Sequence, residues 1–207
     1  MNKKNYFLKL YNYSFNLLNS LPIALEPLPI NYALNILKPA IDKIQEDEIL
    51  KIHNFRTEKK IGTPGNSNNW QGLNSIGMLM DRFTILIIRE WSLKNKVHKN
   101  HKKAKEIYKK QTLDIIEAMT HTSPGTSSMN TKITNIKQSL DYSTWEESFF
   151  GMITINLILW EAQEVLYIKD IAQLPSEELR SYIDWFSKGN IKRNECIQLC
   201  EEYFWTI

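Results

Sequence analysis

Ser75 to Trp91 reads SIGMLMDRFTILIIREW, and this stretch decides the fold. Ile76, Leu79, Met80, Phe83, Leu86, Ile87 and Ile88 recur at spacings of three and four, with further apolar residues on the flanks. A helix that is hydrophobic most of the way round belongs in the middle of a fold. At about seventeen residues, and interrupted by Asp81, Arg82, Arg89 and Glu90, it is too short and too charged to span a membrane. The expectation is a central core helix.

The stretch has an echo. Phe150 to Trp160 is FGMITINLILW, against IGMLMDRFTIL from Ile76 to Leu86, with the Gly-Met pair in register. A second echo follows each, KKQTLDIIEAM from Lys109 to Met119 and KRNECIQLCEE from Lys192 to Glu202. Two helical hairpins related by an internal repeat make a four-helix bundle. The expected organisation is a single all-α domain over 1–207: N-terminal helices over 1–60, a first hairpin over 73–120 and a second over 144–205.

Composition sets bounds. With 207 residues the chain is long enough to bury a core without staples, and a net charge of +3 selects no class of partner. Heavy use of Lys, Asn and Ile fits an AT-rich genome. Cys196 and Cys200 are four apart on an expected helix, which suits small buried side chains better than a disulfide. The N-terminus starts basic, but Lys9, Asn12, Ser14 and Asn16 break any continuous apolar core of the kind a signal peptide needs. Phe7, Leu8, Tyr11, Phe15 and Leu18 instead follow helical spacing. A cytoplasmic protein without a transmembrane segment is expected.

In chain order, the first helix runs to about Ser20, and Pro22, Pro27 and Pro29 force an extended connector. Asn31 to Gln45 is helical in pattern, with Pro39 ending or kinking it, and Asp47 to Arg56 forms a short helix striped by Ile49, Leu50, Ile52 and Phe55. Ile61 to Gly72, IGTPGNSNNWQG, is the clearest loop, and Trp70 makes it a candidate ligand loop. Lys94 to Lys110 carries eight lysines and two histidines against one glutamate, a basic hairpin tip. It lacks the interleaved aromatic residues of single-stranded nucleic-acid binders and any helix-turn-helix signature, so sequence-specific nucleic-acid recognition is not expected. His98 and His101 are three apart but have no third ligand nearby and lysines all round, so no metal is assigned to them. His121 to Ser128, HTSPGTSS, links the two halves. Ser143 with Glu146 reads as a capping box opening the second core helix, which runs to about Tyr167. Pro175 opens a last helix to about Phe204, with Gly189 a weak point inside it.

Charges on such apolar helices are costly unless paired. Asp81, Arg82, Arg89, Asn156, Glu161 and Glu164 are therefore expected to meet across the bundle, as a polar centre that is either a pocket or an ion-pair network. No phosphate-cradling glycine loop and no nucleophile–base pair is visible, and no cofactor is assigned.

Two families resemble parts of the chain. The all-α nucleotide pyrophosphohydrolases hold Mg²⁺ with an ExxE pair and a later ExxD pair. Glu161-Ala-Gln-Glu164 resembles the first, while Glu177, Glu178 and Asp184 are wrongly spaced for the second. That likeness implies Mg²⁺ or Mn²⁺ on bundle-centre carboxylates and hydrolysis of a nucleotide or nucleotide-sugar. The broader likeness, over Asn74 to Glu202, is to an uncharacterised bacterial helical family often encoded beside glycosyltransferases and other cell-surface glycan genes. Met80 to Arg89 is similar to its ΦIDKLSILxLK helix, and Asn156 to Glu164 to its N-x-x-LW-x-x-E. Ile183-Asp184 with Arg193-Asn194-Glu195-Cys196-Ile197-Gln198 is similar to its ID…RN-x-x-IE, with Gln198 in place of the acid, and adds Arg193 and Asn194 to the polar centre. This resemblance implies a helical fold and a link to glycan biosynthesis, and the function expected here is a non-catalytic accessory or binding protein, with a protein partner or a small anionic ligand. Homo-oligomerisation is left open.

Overall fold

A computed structural model describes residues 3–21, 29–62, 75–95, 101–122 and 140–206. Among these the chain is helical throughout, with no strand. The helices are α1 (Lys3–Ser20), α2 (Ile30–Tyr32), α3 (Lys38–Glu58), α4 (Ile76–Asn95), α5 (His101–His121), α6 (Trp145–Ile168) and α7 (Ser176–Phe204). The loop carrying Trp70, the histidine His98 and most of the linker between the halves lie outside the described residues.

Helices α4 and α6 pack on each other, and α7 packs on both. Helix α5 packs mainly on α4 and α1, and α3 lies on α6. The periodic residues explain this layering. Ile76, Met80, Phe83, Ile87 and Ile88 of α4 are fully buried, as are Phe149, Phe150, Ile153, Leu157 and Ile158 of α6. Helix α6 is long and apolar enough to cross a membrane, but 72% of its apolar window is buried inside the fold.

Pro39 does not end its helix. The chain instead runs from α2 through a π-helical stretch, Ala33–Leu37, straight into α3, so the two short helices expected over 31–56 are one continuous path. Proline lacks the amide that would bond back a turn, and widening the preceding turn removes the need for it. The α6 cap is one residue later than expected. Thr144 is the cap and Glu147, not Glu146, closes the capping box. Pro175 likewise stands at the cap of α7 rather than inside its first turn. Gly189 lies within an unbroken α7, packed against Trp185 and Leu159.

The glycines of the two echoed segments do different work. A Cβ on Gly77 would lie 2.2 Å from the carbonyl oxygen of Ile197, so this glycine lets the backbones of α4 and α7 nearly touch. The nearest atoms to a Cβ on Gly151 would be those of the Tyr142 side chain. Gly77→Ala should therefore force α4 off α7 and cost about 1–3 kcal/mol. Gly151→Ala should cost less, because a ring can turn where a backbone cannot. Urea unfolding of the two variants side by side checks the order.

Candidate functional site

Three helices build the polar centre. Asp81 of α4 is 3% exposed and faces Asn156 of α6, 5% exposed, and Arg193 of α7. Arg193 grips the carboxylate with both arms of its fork, Nε donating to Oδ1 at 2.7 Å and Nη2 to Oδ2. The Asn156 amide donates to Asp81 Oδ1 at 2.9 Å and to Thr84 Oγ1 at 2.8 Å. Thr84 in turn donates to the Asp81 carbonyl at 2.8 Å. A forked arginine–carboxylate pair with its remaining acceptors filled is the strong form of such a contact. The Asp81 hydrogen bonds raise the Arg193 pKa against the opposing effect of burial, so the guanidinium stays charged.

Among the described residues Asp81 is bonded by Asn156 and Arg193 and not by Arg82, Arg89 or Asn194. Arg82 and Asn194 are exposed. Arg89 lies between aromatic rings, its guanidinium 5.6 Å from the Tyr108 ring and 5.7 Å from the Trp160 ring. Glu161 is buried and Glu164 half-buried further along α6. The partner of Asp81 is thus Arg193, rather than Arg82 or Arg89. Thr84 is the member that reading the charges alone overlooked. Among the described residues no three His, Cys, Asp or Glu side chains gather as a cation site. Cys196 and Cys200 are buried, and burial pushes the Cys196 thiol up to about 12 and that of Cys200 upward too, which leaves neither as a thiolate.

A second polar cluster lies where α3 meets the start of α6 and the end of α7. Glu146 is fully buried, and Arg56, 4% exposed, donates from Nε to its Oε1 at 2.6 Å. His53, one turn back on α3, places Nδ1 3.4 Å from the other oxygen. Arg56 also donates from Nη1 to the carbonyls of Phe204 and Thr206. Its guanidinium carbon lies 5.6 Å from the Trp145 ring. Beside this pair opens a cleft of about 580 Å³. His53, Arg56, Ser143, Thr144, Trp145 and Trp205 are among its lining residues, and no carboxylate is. The nearby Glu147 is held by Ser143 and Thr144, whose bonds lower its pKa although burial pushes the other way.

Neither Arg56 nor Glu146 stands out by charge pattern. A weaker signal exists in helical spacing. Arg56 follows the buried Ile52 by four, and Glu146 precedes the buried Phe149 by three and Phe150 by four, so each is on the core face of its helix. The chain matches no protein-family model, and no curated protein and no solved structure matches it either.

Proposed function

We propose that the protein is a non-catalytic binding protein, an accessory of cell-surface glycan biosynthesis working in a bacterial cytoplasm. The glycan link comes from the resemblance of Met80–Arg89, Asn156–Glu164 and Arg193–Gln198 to the helical family described above. The observation that carries the non-catalytic half is the Asp81 carboxylate. Arg193 and Asn156 occupy it, so it is a locked joint between α4, α6 and α7 and not a free ligand for substrate or cation. A metal-dependent hydrolase would need that carboxylate free, together with Glu161 and Glu164. The pairs α4–α5 and α6–α7 are read as two related hairpins of a four-helix bundle, with α1 to α3 packed outside it. The protein itself is read as acting on a protein partner or a small anionic ligand, with self-association to be settled by sedimentation.

Thermal unfolding against nucleotides and nucleotide-sugars, with and without Mg²⁺ or Mn²⁺, is the test. A ligand at a hundred times its dissociation constant adds about 2.7 kcal/mol, a readily seen shift. The expected result is stabilisation that is indifferent to the metal. A shift that appears only with metal and nucleotide together would sink the proposal and make the chain a hydrolase.

A further inference from the structure

We infer that the outward face of α5 docks the protein on an anionic membrane surface, the headgroups of acidic phospholipids. The inference goes beyond the proposed function and does not depend on which ligand the protein binds. Charge is the first observation. Residues 101–110 hold Lys102, Lys103, Lys105, Lys109 and Lys110 against the single Glu106, a balance of +4 in a chain whose whole balance is +3. The rest of the chain is close to neutral, so the positive charge is gathered at one end of one helix. All five lysines are exposed. None of them makes an ion pair among the described residues, whereas Lys4, Lys38, Lys169 and Lys188 each meet a carboxylate.

The setting of the helix is the second observation. Thr112, Ile116 and Met119 are buried on one side of α5, which packs on α4 and α1. Lys103, Ile107 and Lys110, spaced by four and three, share the opposite side. Ile107 is 46% exposed and Leu113 45%, so aliphatic side chains stand among the lysines with no core to join. Of the acids further along, Glu117 is bonded to Lys4 and His121, and Asp114 lies a turn beyond the basic end. Cations and aliphatic residues on one outward face are what a helix lying in the plane of a bilayer surface presents. The lysines meet the phosphates while Ile107 and Leu113 enter between the headgroups. Nucleic acid is held by stacking rings and forked arginines, and this face has neither. Helix α5 contains no arginine, and its one tyrosine, Tyr108, lies against the Arg89 guanidinium.

Co-sedimentation of the full chain with lipid vesicles tests this. The chain should bind vesicles of phosphatidylcholine containing about one third phosphatidylglycerol, and not vesicles of phosphatidylcholine alone. Salt raised to about 1 M, where the screening length falls to about 3 Å, should release it. Lys103→Gln, Lys109→Gln and Lys110→Gln together should weaken partition about a hundredfold, from about fivefold for each lysine at the surface. The same charge removed elsewhere, by Lys43→Gln, Lys59→Gln and Lys188→Gln, should weaken it far less. All six positions are exposed, so melting temperatures should hold, and they are checked. Ile107→Ser with Leu113→Ser should weaken partition about tenfold, the loss of the inserted side chains. Equal binding to both vesicles, no binding at low salt, equal losses in the two lysine sets, or full binding by the serine variant would each overturn the proposal. So would displacement from the vesicles by single-stranded polyuridylate at equal phosphate concentration, which would give the face to nucleic acid.

Discussion

Glu146→Ala should destabilise the fold by about 3–5 kcal/mol, the largest effect expected of any single substitution here. Its carboxylate is fully buried and answers Arg56, itself 4% exposed. Removing the acid strands a guanidinium that is only 4% exposed and remains fastened to the Phe204 and Thr206 carbonyls. The penalty is that of an uncompensated buried charge, which exceeds the net worth of the intact pair. Glu146→Ala combined with Arg56→Leu should therefore recover most of the loss, since no charge is left behind. Urea midpoints of the three proteins, at unchanged slope, make the comparison. A loss below about 1 kcal/mol in Glu146→Ala would mean that water enters and solvates Arg56.

Asp81→Ala should cost about 2–3 kcal/mol, less than Glu146→Ala, because the Arg193 side chain is 28% exposed and can rehydrate. Part of the cost comes from Asn156, whose amide keeps Thr84 but loses its other acceptor. Asp81→Asn keeps the shape and one acceptor and should fall between the wild type and the alanine variant. A variant at Asp81 that kept full stability yet lost binding would move the functional site to the polar centre.

The helices were legible because burial imposes a period. Ile76 to Ile88 and Phe149 to Leu159 face neighbours on nearly every side, so their apolar residues appear on nearly every side. Ends were less legible, because Ser143 and Thr144 can both cap and both have an acid three residues on. Only packing selects between them, and it takes Glu146 inward to Arg56 while leaving Glu147 for the cap. The break expected at Pro39 was absent because a wider turn absorbs a missing amide, a remedy that leaves no mark in residue type. In the polar centre, charge counting found Asp81, and the motif resemblance added Arg193. It could not choose Arg193 over Arg82 or Arg89, which are closer in sequence but point to solvent or to aromatic rings. The cleft went unread because Arg56 and Glu146 are 90 residues apart, and nothing local says that they meet.

That separation has a consequence for how the chain is made. Phe7 stacks on Phe204 at 6.0 Å, the Tyr6 ring meets that of Trp145 at a tilt with centroids 6.1 Å apart, and Arg56 bonds the Phe204 carbonyl across 148 positions. Helices α1 and α3 thus leave the ribosome before the α6 and α7 partners on which they pack. At about 5–20 residues per second, synthesis of the 207 residues takes roughly 10–40 s. The thermodynamic cost of closing so long a loop is slight, since each doubling of length adds only about 0.6 kcal/mol. Time is what suffers. Until α6 and the end of α7 are made, the nascent chain holds Tyr6 and Phe7 without their Trp145 and Phe204 partners, and that interval is when a holding chaperone has the most to do.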